Sequence, residues 1–505
     1  MSPPNPSFNE ALDARIAEIL GGQTGPAIGA FFDFDGTLID GFSAMHLVKE
    51  RWRQKQIGLR EFSELLTFSL NHGPTDADFH ELIGQSVLRW KGLKEADFAA
   101  QWEKLFVAHI AQTVFPEAWR LVQAHRRMGH TVAIASSATR YQILPLAREI
   151  GIEHVLATPL QVRDGIFTGR LAGSPLWNQD KALAVRHFAA TQKVDLDASF
   201  AYANGAEDVA FLSQVGAPCA VNPKPALAAA ASRARWPVLA FRQRRKFTLE
   251  QRARTVASYA AMAGSFVSGL AAHALGMSQN RALNLVTSMA PDLGLAAAGI
   301  ELRIQGEENL WKARPAVFVF NHQSPLDLVI GVGLMRRNAT GVVKKEMENM
   351  LGWGQFGRFM DMAFVDRGDP GKARAALAPA VEKLRKGMSL GICPEGTRSY
   401  SPRLAPFKKG AFHMAMQAGV PVVPVVLRNA GEVMHRDALW MRPGVVDICV
   451  LQPVPTLDWT LESLDRRVAE VRQQFLDTLD QWPGATDAER ADAAPINSRR
   501  ARTAR

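Results

Sequence analysis

The chain has 505 residues, too many for one ordinary domain, and its 47% of apolar residues is ample for two cores. Its net charge of +10 comes with no helix-turn-helix, zinc or aromatic-platform motif, so a nucleic-acid partner is not expected. Three cysteines, Cys219, Cys393 and Cys449, lack metal-ligand spacing and suit a reducing compartment.

The start, Met1-Ser2-Pro3-Pro4-Asn5-Pro6, lacks the charged and apolar regions of a secretory signal, so a cytoplasmic location is expected. Residues 1–25 read as an N-terminal extension. Ala30-Phe31-Phe32 then forms a strand running into Asp33-Phe34-Asp35-Gly36-Thr37-Leu38. Strand side chains alternate faces, so the two carboxylates project apart unless the strand ends between them, and Gly36 permits that turn. One carboxylate can attack phosphorus while its neighbour moves protons, with magnesium offsetting the collected charge. An Asp-rich surface turn is the competing reading of this motif taken alone.

Residues 41–125 read as a helical insertion, with Trp52, Trp90 and Trp102 at spacings that suit core packing. Further on, Thr131-Val132-Ala133-Ile134-Ala135-Ser136 is a strand ending in a hydroxyl, and Lys181 opens a helical segment. Ala201-Tyr202-Ala203-Asn204-Gly205-Ala206-Glu207-Asp208 ends another strand with an amide and acids.

This order of motifs resembles the haloacid dehalogenase-like phosphatases, in the branch that contains phosphoserine phosphatase, over roughly residues 25 to 230. The resemblance implies an α/β fold, a Rossmannoid core over residues 26–235 with a helical cap at 41–125. It also implies Asp33 as nucleophile, Asp35 as general acid and base, Ser136 and Lys181 as phosphoryl ligands, and a magnesium ion held by Asp33, Asp35, Asn204 and Asp208. Two places depart from the family pattern. Asn204 stands where an aspartate is usual, which removes a formal charge from the metal site. Phe42 stands where phosphoserine phosphatases carry a glutamate for the substrate ammonium, so free phosphoserine is not the expected substrate.

Residues 236–300 read as a basic linker followed by apolar helices. Arg242-Gln243-Arg244-Arg245-Lys246, with Arg252 and Arg254, precedes residues 255–276, which contain no Lys, Arg, Asp or Glu. That length suffices for a spanning helix, but Ala, Gly, Ser and His273 keep its hydrophobicity low. Residues 282–300 are similar, interrupted by Pro291 and Asp292. A helix pair dipping into one leaflet of an anionic membrane is the favoured reading, and a buried helical linker the other.

In the last part, Val317-Phe318-Val319-Phe320 is a buried strand leading into Asn321-His322-Gln323-Ser324-Pro325-Leu326-Asp327. A histidine at a strand end with a carboxylate able to fix its tautomer is the pairing a general base needs. Phe364-Val365-Asp366-Arg367 ends a second apolar run with a cation. Ser389-Leu390-Gly391-Ile392-Cys393 leads into Pro394-Glu395-Gly396-Thr397-Arg398-Ser399, and residues 419–426 form another β-branched run. Arginine at two strand-to-loop junctions suits phosphate, because its planar fork donates paired hydrogen bonds.

Residues from about 300 to 455 resemble the glycerophospholipid acyltransferases, specifically the 1-acylglycerol-3-phosphate acyltransferases. The family's four blocks are present in order: His322 to Asp327, Gly357 to Arg367, Pro394 to Ser399, and the strand Val422-Val423-Pro424. The resemblance implies a C-terminal α/β domain, here taken as 301–483, in which His322 deprotonates the hydroxyl of lysophosphatidic acid and Asp327 holds the imidazole. The alkoxide then attacks an acyl thioester, acyl-CoA or acyl carrier protein, and phosphatidic acid forms. Arg367, Glu395, Gly396, Thr397 and Arg398 would line the phosphate side, with Lys344, Lys345 and Lys408 nearby or on a solvated basic face. Residues 484–505, rich in Ala, Asp and Arg, read as a disordered tail. The combined expectation is a two-enzyme chain on the cytoplasmic face of the membrane. The alternatives are a primary phosphatase or a catalytically silent N-terminal scaffold.

Overall fold

The computed structural model describes residues 7–55, 57–58, 76–242, 247–344, 348–350, 354, 357, 362–365 and 373–483. The chain divides at residue 246 into two compact units, each with its own sheet.

In the first unit the strands are β1 (Ile28–Phe32), β2 (Thr131–Thr139), β3 (His154–Thr158), β4 (Leu160–Arg163), β5 (Ile166–Leu171), β6 (Asp195–Ala203), β7 (Ala217–Val221) and β8 (Val238–Leu239). Six of them form a sheet in the order β3-β2-β1-β6-β7-β8, parallel throughout. All five residues of β1 are buried, as in a parallel strand covered on both faces. The chain leaves β1 for β2 on one side and returns to β6 on the other, so a crevice opens beyond the carboxyl end of β1.

The separate hairpin β4–β5 turns through Asp164 and Gly165, both with positive φ. This is the Asp-Gly signature of a two-residue turn whose twist matches the strands. The residues read as an extension form α1 (Ser7–Gly21), with Leu12, Ile16 and Ile19 buried and the Arg15 guanidinium donating to the Ala217 carbonyl of β7 at 2.6 Å. In the insertion, Trp102 is a core residue packed edge-on against Phe98. Trp52, in contrast, is 38% exposed and is not one, because it lies toward the solvated end of its helix Ala44–Arg53.

The second unit has β9 (Ile300–Gln305), β10 (Val317–Phe320), β11 (Ala339–Lys344), β12 (Ala363–Val365), β13 (Ser389–Ile392), β14 (Val422–Leu427) and β15 (Gly444–Val450). Their order is β12-β11-β13-β10-β14-β15-β9, with only β14–β15 antiparallel. The fully apolar runs of β10 and β14 are buried at every position, which places them in the middle of the sheet.

Two helices precede this sheet, α2 (Leu249–Ala274) and α3 (Gln279–Ala298). They meet where Gly269 faces Val286 and Gly294 faces Met262; a Cβ at Gly269 would lie 2.1 Å from Val286, so only glycine allows this approach. Pro291 does not interrupt α3, which continues to Ala298. Met262 and Leu295 join the core of the second unit. Helix α4 (Leu326–Met335) follows β10 directly.

Candidate active site

At the carboxyl end of β10 the side chain of Asn321 extends the ladder with β14. Its Nδ2 donates to the Leu427 carbonyl and its Oδ1 accepts from the Leu427 N–H, both at 2.7 Å. His322 is thereby fixed at the sheet edge. Its backbone N–H donates to Glu395 Oε1 at 2.6 Å, and its carbonyl accepts from the Ser399 N–H at 2.8 Å.

Asp327, in the first turn of α4, is fully buried at its side chain. Its Oδ2 accepts from His322 Nδ1 at 2.8 Å and from the N–H groups of Gln323 and Ser324 at 2.6 and 2.8 Å. A carboxylate only accepts, so Nδ1 carries the proton and Nε2 keeps its lone pair. Helix α4 therefore begins with a charge favoured at its N-terminus, and that charge orients the imidazole.

His322 and Asp327 line a cavity of about 470 Å³ in the second unit. Gly396, Thr397 and Arg398 line the same cavity, as the sequence suggested, and Arg436 joins them. The guanidinium groups of Arg398 and Arg436 each donate to the other's carbonyl, and Arg436 lies over the Tyr400 ring at 3.7 Å. Gly396 has φ +78° and is covered by Lys408, whose Nζ would lie 2.7 Å from a Cβ there. Most of the remaining wall is apolar, including Leu328, Val332, Met335, Val342 and Ile392, with Thr287, Thr340 and Arg336 as its polar members.

Glu395 departs from its expected place. It does not line the cavity but turns inward, 4% exposed, bracing the N–H groups of His322 and Ala405. Burial pushes its carboxyl up from the ordinary 4.5 to about 7, against those hydrogen bonds. A group with a raised folded-state value binds more protons when folded. Its stabilising effect is complete below about pH 4.5 and is lost as pH rises through about 7. The loss is on the order of 3 kcal/mol. Melting temperatures of wild type and Glu395→Gln across pH 5 to 8 should converge or cross as pH rises, whereas parallel curves contradict this role.

Arg367 and Lys345 lie outside the described residues. Lys344 ends β11.

In the first unit the crevice beyond β1 collects the other predicted group. Lys181, on the helix Asn178–Gln192, is buried and donates to Asp33 Oδ1 at 2.7 Å and Asp208 Oδ1 at 2.6 Å. Burial pulls the lysine pKa down, but the two carboxylates outweigh it and raise it. Burial likewise pushes the Asp33 carboxyl up while Lys181 opposes it. Asp35 turns to the N–H of Ser43 at 2.7 Å and to its hydroxyl, which accepts in turn from Gln142. Ser136 is buried on β2, the strand next to β1. The amide of Asn204 packs over Gly36, whose φ is +79°.

The magnesium cage expected from Asp33, Asp35, Asn204 and Asp208 is not assembled by these side chains. Among the described residues no three His, Cys, Asp or Glu converge as a metal-holding group. The Lys181 ammonium already lies between two of the carboxylates, and Asp35 is committed to Ser43.

Comparison with known proteins agrees with this division. Residues 301–428 match the acyltransferase family, and residues 30–213 match the haloacid dehalogenase-like hydrolases. An uncharacterised acyltransferase of Schizosaccharomyces pombe is 38% identical over 193 residues, which are 37% of this chain and 68% of the yeast protein. The chain belongs to the acyltransferase family. It carries a haloacid dehalogenase-like hydrolase domain before its acyltransferase domain.

Two 1-acyl-sn-glycerol-3-phosphate acyltransferases, from Limnanthes douglasii and Saccharomyces cerevisiae, are each 34% identical over 36% of this acyltransferase chain. The matched parts span 64% and 60% of those relatives. Among solved structures, the 1-acyl-sn-glycerophosphate acyltransferase of Thermotoga maritima is similar at 24% identity and a TM-score of 0.40, over 46% of this chain and 97% of that one. A phosphoserine phosphatase is similar at 21% identity and a TM-score of 0.34, over 44% and 95%.

Proposed function

We propose that the acyltransferase unit moves an acyl chain from acyl-CoA or acyl carrier protein to the free hydroxyl of 1-acylglycerol-3-phosphate, giving phosphatidic acid. The observation that carries this reading is the oriented His322–Asp327 pair lining a largely apolar cavity together with Arg398 and Arg436. His322 Nε2 takes the hydroxyl proton, and the oxygen attacks the thioester carbonyl. The carbon–sulfur bond breaks, and the proton passes from His322 to the leaving thiolate. Arg398 and Arg436 offer charge to the acceptor phosphate. Thr397 and the phosphate-side role of Arg367 belong to the same reading.

The α2–α3 pair supports a place on the cytoplasmic face of an anionic membrane. It leaves Val256, Tyr259, Val267, Leu270 and Leu275 exposed, next to a sequence run of arginines. Among the described residues α2 alone is long and apolar enough to cross a membrane by length and composition.

The test is an assay of the purified full chain with 1-acylglycerol-3-phosphate and radiolabelled acyl-CoA, following labelled phosphatidic acid and released phosphate together. Labelled lipid is the expected product. Its absence with folded protein, using acyl-CoA and then acyl carrier protein as donor, would overturn the reading.

The hydrolase domain supports a second activity because Lys181 joins Asp33 and Asp208 in a buried cluster. In this reading Asp33 attacks a phosphomonoester, Asp35 protonates the departing alcohol, and Asp35 then activates the water that releases phosphate. Asp33→Asn should cut phosphate release at least about a hundredfold on a phosphomonoester panel assayed with and without magnesium. Equal release by wild type and variant would leave the domain a silent scaffold.

A further inference from the structure

Arg436 reaches the cavity from a segment outside every block that carries the chemistry, so other parts of the unit must hold it there. Residues 434–441 form a closed loop, whose ends meet where the Arg442 N–H donates to the Val433 carbonyl at 2.8 Å. Met434 and Met441 anchor those ends in the core of the second unit. None of residues 435–440 between them is fully buried, so polar ties set the path of the stretch that carries Arg436.

The ties run to two different elements. At one end the fully buried Ser324 donates its hydroxyl to the Met434 carbonyl at 2.7 Å. The same oxygen accepts from the Leu326 N–H at 3.1 Å, which fastens the loop to the start of α4. At the other end the partner is α2. The buried Thr255 hydroxyl accepts from the Met441 N–H at 3.0 Å and donates to the Gln251 carbonyl of its own helix at 2.8 Å. One turn on, the Tyr259 hydroxyl donates to the Leu439 carbonyl at 2.8 Å. Between these ends the Arg436 guanidinium bonds the Arg398 carbonyl, lies over the Tyr400 ring and has Asp437 Oδ2 3.2 Å from its Nε.

Resting on the reading of Arg436 as a ligand of the acceptor phosphate, we propose that Ser324 and Thr255 are positioning residues that hold this loop as a clamp. Selectivity for a phosphate-bearing acceptor is then set jointly by the His322–Asp327 segment and by α2. An arginine fixed in advance pays its ordering cost on folding and not on binding. Loss of either tie frees the loop, which weakens the hold on phosphate and leaves the chemistry at the hydroxyl in place.

The readout is the ratio of kcat/KM for 1-acylglycerol-3-phosphate over that for 1-acylglycerol, which lacks the phosphate. Arg436→Ala should lower this ratio by about tenfold or more. Thr255→Val keeps the side-chain shape without the hydroxyl, and it should lower the ratio about threefold through KM, with kcat unchanged. Ser324→Ala should lower the ratio by a similar factor. In the Arg436→Ala background neither substitution should lower it further, because both act through the arginine. Tyr259→Phe, at a position 41% exposed, reads the same tie should the buried variants fail to fold. Calorimetric titration of each protein with the two acceptors in detergent micelles gives the ratio as affinities, independently of turnover. Folded variants with the wild-type ratio in both measurements overturn the proposal, as does a further fall in the double variants. A wild-type ratio in Arg436→Ala overturns the clamp and leaves the acyl-transfer reading to its own assay. A lowered affinity ratio in a protein that transfers no acyl chain supports the clamp and overturns only the acyl-transfer reading.

Discussion

His322→Ala is expected to abolish acyl transfer, by about a thousandfold or more, while the fold survives. The imidazole is the cavity-lining group with a lone pair set by a fixed tautomer. Removing it leaves no comparable base on the acceptor hydroxyl. The backbone of this position is held through its N–H by Glu395 and through its carbonyl by Ser399. Neither bond uses the side chain, so circular dichroism and the melting curve should be nearly unchanged. Normal turnover in the variant would show that another group activates the hydroxyl.

The second large effect is expected for Asp327→Asn. Its Oδ2 accepts three hydrogen bonds, and its Oδ1 is buried without a partner among the described contacts. The amide can present its oxygen to the same three donors, so the imidazole stays in place. It brings no charge to stabilise the imidazolium that forms during proton transfer. Transfer should fall by about a hundredfold or more. The new amide nitrogen would occupy the buried, unbonded position, at a stability cost of about 1–3 kcal/mol. Because Asp327 acts through His322, the double variant with His322→Ala should be no slower than His322→Ala alone. A further drop in the double variant would give Asp327 a separate role.

Much of this chain was legible because its chemistry sits at the ends of apolar runs. The strands bearing Asp33, Ser136, Asn204 and His322 announce themselves by buried β-branched and aromatic residues, and the motif follows directly in sequence. The helix pair at α2 and α3 was also readable, although Pro291 suggested a break that packing against Gly333 and continued hydrogen bonding elsewhere in the helix make unnecessary. The hairpin β4–β5 had a readable turn in Asp164-Gly165 that the flanking pattern left unremarked.

Other features had no local signal. Arg436 belongs to no block and reaches the site only because the loop after β14 folds back onto the loop carrying Arg398. Glu395 looked like a site-lining acid because of its neighbours Gly396 and Arg398, yet it points the other way.

The sequence by itself determined two α/β units and the places of Asp33, Asn204 and His322, because each follows directly on a buried apolar strand. Tertiary structure alone decided which way each side chain turns. It set Glu395 to brace the backbone and drew Asp208 and Asp33 to Lys181. The reason is physical. A strand end fixes position along the chain, but a buried polar group takes its direction from whichever donor or acceptor the rest of the fold brings within reach.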